Sequence, residues 1–367
     1  MDTDSQNTDK LSKLLPLIDQ WTKEFGFQDW GIADLDIADY VSRLDDWLAS
    51  GYQADMGWIS DRRDLRANPG ELVEGTVRVI SLRMDYQAPD TEPLQVLKSG
   101  EKAYVSRYAL GRDYHKLIRS RLAKLADKIS HWADLELGAD VSQRVFVDSA
   151  PVLEKPIAEK AGLGWIGKNT LILNRNAGSW FFLGEIYTNL PLPASTKKAE
   201  DECGKCKACL NICPTDAFPK PYVLDANKCI SYLTIENSGA IPVELRSKMG
   251  NRVFGCDDCQ LICPWNRYAS TSVESDFKPR HQLENSELVD LYYWTEEEFL
   301  SRTAGSPIRR TGYEGWQRNL AVGLGNGPPS ARAIEALESV EPSSPMVHEH
   351  VEWALEQLKN KAHSYER

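Results

Sequence analysis

The stretch CGKCKACLNICPTDAF, residues 203–218, places four cysteines in the pattern C-x2-C-x2-C-x3-C-P. This is the spacing of bacterial ferredoxins, whose thiolates bind [4Fe–4S] clusters. The short x2 spacings let one tight loop present three thiolates to a single cluster. The fourth cysteine, Cys213, precedes a proline and is directed to a second cluster. The stretch therefore predicts an iron–sulfur domain.

A second set of cysteines repeats this pattern with its first member displaced upstream. It consists of Cys229 and the run Cys256-x2-Cys259-x3-Cys263-Pro264, and with it all eight cysteines are used. In two-cluster ferredoxins the fourth cysteine of each run ligates the other cluster. The predicted ligand sets are Cys203, Cys206, Cys209 and Cys263 for the first cluster, and Cys213, Cys229, Cys256 and Cys259 for the second.

Structural zinc is the alternative for these cysteines, since four-cysteine zinc sites also use C-x2-C pairs. Such pairs usually lack a third cysteine two residues further on and a fourth before proline. The spacing therefore favours two [4Fe–4S] clusters, which carry single electrons. The acceptor of those electrons then determines the function.

Composition excludes several classes of protein. The chain has 367 residues with 42% hydrophobic and 26% charged side chains, as in a soluble globular protein. Its net charge of −11 argues against a basic nucleic-acid coat but permits a local positive patch. No apolar stretch approaches the roughly 20 residues of a membrane-spanning helix, and the polar N-terminus lacks signal-peptide features. We expect a cytoplasmic protein, whose clustered thiols bind metal.

Hydrophobic periodicity predicts an α+β protein of three domains. Helical and strand patterns alternate up to about residue 190, for example a helix over 113–130 and a strand over 144–148. A polar, proline-containing boundary follows at 191–202, and the chain is helical after about residue 276. The predicted division is an α/β domain over 1–195, a ferredoxin-like domain over 196–275 and an all-α region over 276–367.

Asp148 is the candidate acid. It follows the apolar strand residues Val145–Val147 and precedes Ser149-Ala150-Pro151. An acid at a strand end beside a cleft can be partly desolvated and hold its proton near neutral pH, as a general acid must. A turn-capping aspartate would occupy the same position, and the spacing alone favours that structural role.

Two further motifs are incomplete. Residues 162–167, GLGWIG, match G-x-G-x-x-G but follow a predicted helix rather than a strand, so a dinucleotide site is not favoured. Asp113-Tyr114-His115 begins a corrin-binding D-x-H-x-x-G motif, but Ile118 replaces the glycine. The pattern therefore does not support a histidine-ligated cobalamin, and we interpret His115 as an ordinary helix-face residue.

Positive charge is concentrated in two segments. Residues 107–128 hold seven Lys or Arg against two Asp, and residues 301–320 hold four Arg against one Glu. Both could contact phosphates, although a solvated helix face explains the first equally well. The second lies among Tyr313 and Trp316, and these aromatic neighbours favour RNA.

Six stretches together resemble the epoxyqueuosine reductases of queuosine biosynthesis. They cover most of the chain, and their combination is far more specific than the ferredoxin motif alone. They are VSRYALGRDYHK (105–116), VDSAPVLEKPIAEKAGLGWIGKNTLIL (147–173), GSWFFLGEI (178–186), CGKCKACLNICPTDAF (203–218), CISYLTIE (229–236) and GNRVFGCDDCQLICPWNR (250–267).

The resemblance implies an oxidoreductase that reduces the epoxide of epoxyqueuosine in the tRNA anticodon loop, the last step of queuosine biosynthesis. It implies an N-terminal cobalamin domain, a base-off corrin reduced to cob(I)alamin through two [4Fe–4S] clusters, and a C-terminal HEAT-like region that binds tRNA. We expect an external one-electron donor, no membrane partner and a monomer. A plain two-cluster electron carrier and a reductive dehalogenase-like enzyme are the alternatives.

The resemblance also implies roles for individual residues. Asp148 becomes the proton donor, which reverses the structural interpretation of its position. The candidate corrin contacts are Arg62, Arg112, Asp148, Lys168, Asn169, Thr170 and Ser231. The candidate tRNA contacts are Arg246, Lys248, Arg252 and Arg267 near the clusters, and Arg309, Arg310 and Arg318 in the helical region.

Overall fold

The structure is a computed structural model that describes residues 3–89 and 91–365. Its helices are α1 (Thr3–Glu24), α2 (Ala38–Ala49), α3 (Gly57–Asp61), α4 (Arg63–Ala67), α5 (Pro69–Leu72), α6 (Pro93–Lys98), α7 (Tyr114–Leu137), α8 (Glu154–Lys160), α9 (Ala208–Ile212), α10 (Ile230–Ile235), α11 (Val243–Arg246), α12 (Asp258–Leu261), α13 (Leu288–Tyr292), α14 (Glu296–Arg302), α15 (Gly312–Asn326), α16 (Ala331–Ser339) and α17 (Pro345–Tyr365). Its strands are β1 (Asp29–Ala33), β2 (Arg78–Asp85), β3 (Tyr104–Val105), β4 (Gln143–Phe146), β5 (Trp165–Ile166), β6 (Ile172–Leu173), β7 (Phe181–Thr188) and β8 (Arg252–Phe254).

The described chain divides into two compact units, each assembled from separate segments. The first comprises residues up to Gln87, Tyr114–Lys207 and Cys263–Glu274. The second comprises Ala88–Asp113, Ala208–Ile262 and the chain from Ser275 onward. Each unit thus joins parts of the chain that are distant in sequence. The division into three consecutive domains stays a prediction.

The first unit is built on a sheet with the strand order β1-β2-β7-β4. All three pairings are antiparallel, although alternating strands and helices in a sequence commonly produce parallel sheets. The predicted mixture of helices and sheet is confirmed.

Both faces of β7 are covered by helices. Helix α7 packs on one face, where a Cβ atom at Gly184 would lie 2.8 Å from Leu122 Cδ1. Helix α8 packs on the opposite face, where Ile157 and Ala158 join the core around Tyr187. Since side chains alternate along a strand, Glu185 belongs to the α8 face.

The second unit is centred on helix α15. It packs against α13, α14, α17 and β8, and its residues 315–325 are buried. In the region that the sequence predicts to be helical after about residue 276, α13 and α14 are two separate helices. The break is caused by the capping box of Thr295, whose hydroxyl accepts a hydrogen bond from the Glu298 N–H at 3.2 Å. No helix among the described residues is long and apolar enough to cross a membrane.

Helix α7 provides a test of this packing. Leu122 is fully buried beneath the sheet, whereas Leu135 on the same helix is 68% exposed. We expect Leu122→Ala to lower the free energy of unfolding by about 2–5 kcal/mol, because the cavity left behind adds to the lost burial. The free energy of unfolding of Leu135→Ala, measured by heat and by denaturant, should equal that of the unchanged protein within about 0.5 kcal/mol. Equal effects of both substitutions would contradict the described packing of α7.

Candidate functional site

The second unit contains the predicted second set of thiols. Cys213 follows α9, Cys229 precedes α10, Cys256 follows β8 and Cys259 lies in α12. Burial raises the pKa of the Cys259 thiol well above its ordinary value, and the nearby thiols of Cys229 and Cys213 raise it further. Such thiols are unfavourable as bare thiolates. They fit a cluster whose iron neutralises them.

The first unit contains three thiols of the predicted first set. Burial raises the pKa of Cys263, and the neighbouring Cys203 and Cys206 contribute to this shift. The indole N–H of Trp165 is buried and directed at the Cys203 sulfur, where it lowers the pKa of that thiol. An N–H so placed fits the sulfur of a cluster. The fourth predicted thiol, Cys209, belongs to helix α9 of the second unit.

All eight cysteines lie in the described part of the chain, and none is paired in a disulfide. Within that part, no three His, Cys, Asp or Glu side chains converge closely enough to hold a single metal ion. A cubane does not require such convergence, since each of its irons takes one thiolate.

Lys168 fixes the loop that carries the first cysteines. Its buried side chain donates from Nζ to the carbonyl oxygens of Gly204, at 2.5 Å, and Cys206, at 2.9 Å. Lys168 is a candidate corrin contact on the basis of the family resemblance. The structure instead commits its ammonium group to the cysteine loop.

Asp148 lies in the wall of a cavity of about 240 Å³ in the first unit. It stands two residues beyond β4 with a left-handed backbone, φ +53°, a conformation that is uncommon outside glycine and often found at functional sites. The Tyr114 hydroxyl donates to Asp148 Oδ2 at 2.7 Å. The His115 Nε2 atom lies 3.2 Å from the same oxygen. Three polar groups thus meet at the cavity wall.

Helix α7 positions these partners. Tyr114, its first residue, stacks on Phe182 of β7 with ring centroids 3.8 Å apart, and His115 stacks on Tyr114 at 4.2 Å. The interpretation of His115 as an ordinary helix-face residue was therefore wrong. The incomplete D-x-H-x-x-G motif had singled out His115 as a possible cobalt ligand, whereas the structure shows it as a neighbour of Asp148.

Two glutamates near Asp148 were missed by sequence analysis. Glu154, the first residue of α8, lines the same cavity, and its Oε1 accepts a hydrogen bond from the Asp148 backbone N–H at 2.6 Å. Burial and then the charge of Asp148 raise the pKa of Glu154 to about 7. Behind it lies Glu185 of β7, which is fully buried. In the sequence, Glu185 is a charged residue inside the otherwise apolar run WFFLGEIYT (180–188), and this feature could have identified it.

The other predicted corrin contacts are dispersed, and their roles stay predictions. Asn169 is buried, and Thr170 has a left-handed backbone whose carbonyl accepts from Lys155 at 2.8 Å. Arg62 is exposed in the first unit. In the second unit, Arg112 lies 3.4 Å from the Asp276 carboxylate and Ser231 belongs to α10.

Three of the predicted tRNA contacts are committed to internal bonds. Arg318 is fully buried and donates to the carbonyl oxygens of Leu233, Asn237 and Gly239. Arg246 is buried and paired with Glu349. Arg252 donates from two nitrogens to the Asp258 carboxylate at 2.6 Å. These placements argue against phosphate binding by the three guanidinium groups.

The remaining predicted tRNA contacts are at the surface. Lys248, Arg267, Arg309 and Arg310 are exposed. Arg310 is paired with Glu236 at 2.6 Å, and Arg309 donates to the Leu300 carbonyl oxygen. Arg267 belongs to the first unit and the other three to the second. All four stay predictions.

Comparison with known proteins adds an independent observation. A family model described as a 4Fe-4S double cluster binding domain matches residues 202–266. A second, described as epoxyqueuosine reductase QueG, DUF1730, matches residues 66–149. The chain therefore binds two [4Fe–4S] clusters, and with its acid-lined cavity it belongs to the class of iron–sulfur oxidoreductases.

The most similar relatives define the family. Epoxyqueuosine reductase of Pseudomonas aeruginosa is 58% identical over 345 residues, 94% of each chain. That of Escherichia coli is 53% identical over 348 residues, 95% of this chain and 90% of the relative. A crystal structure of epoxyqueuosine reductase with an epoxyqueuosine-modified tRNA-Tyr stem loop matches with a TM-score of 0.83 at 26% identity, covering 95% and 91% of the two chains. The chain belongs to the epoxyqueuosine reductase family, oxidoreductases that reduce epoxyqueuosine to queuosine in tRNA.

The role of Lys168 can be tested on the clusters themselves. We expect Lys168→Met to reduce the iron and sulfide bound after anaerobic reconstitution, because two loop carbonyls lose their donor. In electron paramagnetic resonance spectra, the signal of one cluster should be lost and the signal of the other should remain. Lys205→Met, which removes an exposed lysine from the same loop, is the matched control. Full occupancy of both clusters in Lys168→Met would show that the loop does not depend on this contact.

Proposed function

We propose that this chain reduces the epoxide of epoxyqueuosine in tRNA with a bound cobalamin as the reducing cofactor and Asp148 as the acid that protonates the leaving oxygen. The reaction consumes two electrons and two protons and releases water. One observation carries the assignment of the acid. The Asp148 carboxyl lies at a cavity of about 240 Å³ with Tyr114 and His115 on one of its oxygens.

These two neighbours orient the carboxyl. The Tyr114 hydroxyl and the His115 ring hold Asp148 Oδ2 from helix α7, and the Asp148 N–H is fixed on Glu154. Orientation of this kind is what general acid catalysis requires. A Bacillus subtilis epoxyqueuosine reductase is described with an aspartate-bearing catalytic loop swung out of the active site. Asp148 also lies on a loop, between β4 and α8, which supports the same role here.

The residues around the cavity suit one face of a cobalamin, which is larger than the cavity itself. Leu171, Phe181 and Leu183 give the cavity an apolar wall, suited to the face of a large ring system, and Lys155 and Ser179 add polar groups to its lining. His115 is engaged with Tyr114 and Asp148, which supports a base-off cofactor without this histidine as cobalt ligand. Once reduced, a cobalamin supplies a strongly nucleophilic metal centre, and the protein supplies orientation and protons. The electrons come from an external one-electron donor through the two clusters.

Asp148→Asn tests the acid directly. The amide keeps the shape of the side chain but has no acidic proton, so we expect turnover of epoxyqueuosine tRNA to fall by at least about 100-fold. Cluster and cobalamin absorbance should be unchanged. Asp140→Asn, which alters an exposed aspartate of the same unit, serves as the control. Ordinary turnover by Asp148→Asn would remove Asp148 as the proton donor.

Substrate binding is proposed to use the exposed basic residues Lys248, Arg267, Arg309 and Arg310. The chain carries a net charge of −11, so attraction to phosphates must be local and should weaken as salt increases. We expect the chain to act as a monomer in the cytoplasm, where its tRNA substrate is found.

Arginine substitutions separate binding from folding. We expect Arg309→Ala to weaken tRNA binding and to reduce the salt dependence by about one counterion, with an unchanged melting temperature. Arg318→Met should instead lower the melting temperature, because three buried carbonyl groups lose their donor. Lys359→Ala, at an exposed lysine of α17, is the charge-matched control. Indistinguishable affinities of Arg309→Ala and Lys359→Ala would remove Arg309 from the binding surface.

A further inference from the structure

Glu185 is an ionisable residue at the centre of the first unit's sheet. It lies in β7 between Ser81 of β2 and Phe146 of β4, and its side chain is fully buried. The Ser81 hydroxyl lies 3.4 Å from Glu185 Oε1. The other oxygen, Oε2, is buried and receives no hydrogen bond from any donor among the described residues. A buried carboxylate with one long hydrogen bond and one oxygen without a donor is strongly unfavourable, so Glu185 requires a proton.

The group that faces Glu185 is a second carboxyl, that of Glu154. Glu185 is fully buried and Glu154 is half-buried at the cavity wall. Two carboxyls so close together are not both ionised, and a proton held between them satisfies both. Such a proton gives Glu185 Oε2 its missing hydrogen bond. In agreement, burial and then the charge of Glu154 raise the pKa of Glu185 well above its ordinary value.

The surrounding titratable groups keep this proton in place. Asp148 is negatively charged only in its ionised form, and in that form it is the second cause, after burial, of the raised pKa of Glu154. Tyr187 of β7 stays protonated, because burial and the two glutamates raise its pKa. A positive charge on His115 has the opposite effect and lowers the pKa of Glu154, but it is the smallest of the causes that act on the Glu154 carboxyl.

The pair reaches the cavity through Glu154 alone. Glu154 lines the cavity together with Asp148, and its Oε1 is bonded to the Asp148 backbone N–H at 2.6 Å. Glu185 lies behind it in the sheet. A proton stored on the pair is therefore shielded on the Glu185 side and available to the cavity on the Glu154 side.

We propose that Glu154 and Glu185 hold one proton between them and that Glu154 delivers it to the substrate oxygen as the second proton of the reduction. This rests on the proposed role of Asp148 as donor of the first proton. Glu154 is then a catalytic residue, and Glu185 is a positioning residue that acts through it.

The proton balance of the reaction accounts for both acids. When the first carbon–oxygen bond of the epoxide breaks, the oxygen takes the proton of Asp148 and becomes a hydroxyl group. When the second bond breaks, the hydroxyl takes the proton of Glu154 and leaves as water. The two electrons delivered through the clusters form the carbon–carbon double bond. Asp148 and the glutamate pair are reprotonated from solvent before the next turnover.

Glu185→Gln tests the pair without emptying the site. Its amide can donate to Glu154 and carries no charge, so the pKa of Glu154 falls and its proton is lost at lower pH. Activity that needs this proton persists below the pKa and disappears above it. We therefore expect the alkaline limb of the kcat profile to move down by about one pH unit or more, with an about 10-fold lower kcat at pH 8 and an unchanged KM.

Infrared spectroscopy gives a readout that does not depend on turnover. The unchanged full-length protein should show the carbonyl stretch of a buried protonated carboxyl near neutral pH, and Glu185→Gln should lack it. Glu154→Gln should lower kcat by about 100-fold or more at every pH, with cofactor absorbance retained. Glu159→Gln is the matched control, since Glu159 lies on the same helix and accepts hydrogen bonds from Tyr40 and Ile166; it should keep the ordinary pH profile and infrared band.

The outcomes separate this proposal from the role of Asp148. If Asp148→Asn is inactive while Glu154→Gln and Glu185→Gln keep the ordinary pH profile and infrared band, the glutamate pair is overturned and the first acid stands. If Asp148→Asn turns over normally, both proposals fail. A shifted pH profile together with a lost infrared band in Glu185→Gln, with both unchanged in Glu159→Gln, supports the shared proton.

Discussion

The alternation of side chains along strand β7 organises the first unit. Successive residues point to opposite faces of the sheet, so Gly184 faces α7 and Glu185 faces α8. The missing side chain at Gly184 lets Leu122 approach closely, and this brings α7 onto the sheet with Tyr114 stacked on Phe182. On the other face, Glu185 meets the start of α8. The two helices thus bring Tyr114, His115 and Glu154 to the loop that carries Asp148.

The eight cysteines are divided between the two units of the chain. The first unit contains Cys203, Cys206 and Cys263, and the remaining cysteines belong to the second. In the ferredoxin pattern, the last cysteine of each run follows three intervening residues and precedes a proline. Its thiolate can ligate a different cluster from the one that the other cysteines of its loop bind. This property makes the ferredoxin pattern visible in sequence, and under the predicted ligand sets each cluster takes thiolates from more than one segment of the chain.

Sequence predicted most where chemistry requires a fixed spacing, and least where burial determines the role of a residue. The cysteine runs and the acid after strand β4 are local patterns, and the family resemblance strengthened both. Arg318 could not be distinguished from a surface arginine, because its carbonyl acceptors at Leu233, Asn237 and Gly239 lie about 80 residues away in the chain. The partnership of Glu154 with Glu185 was hidden for the same reason. His115 was misjudged because its partner, Asp148, is brought to it only by the sheet.

A buried acid pair suits a reaction that is driven by electrons. Each electron that enters a low-dielectric site makes it more negative and raises the proton affinity of nearby carboxyls. A pair that already holds a proton near neutral pH can release it only when a stronger base is formed, and an oxygen leaving carbon is such a base. Asp148, 54% exposed in its side chain, exchanges with solvent more readily than the fully buried Glu185. The two acids would therefore differ in how quickly they recover their protons, and the buried pair would set the limit when turnover is fast.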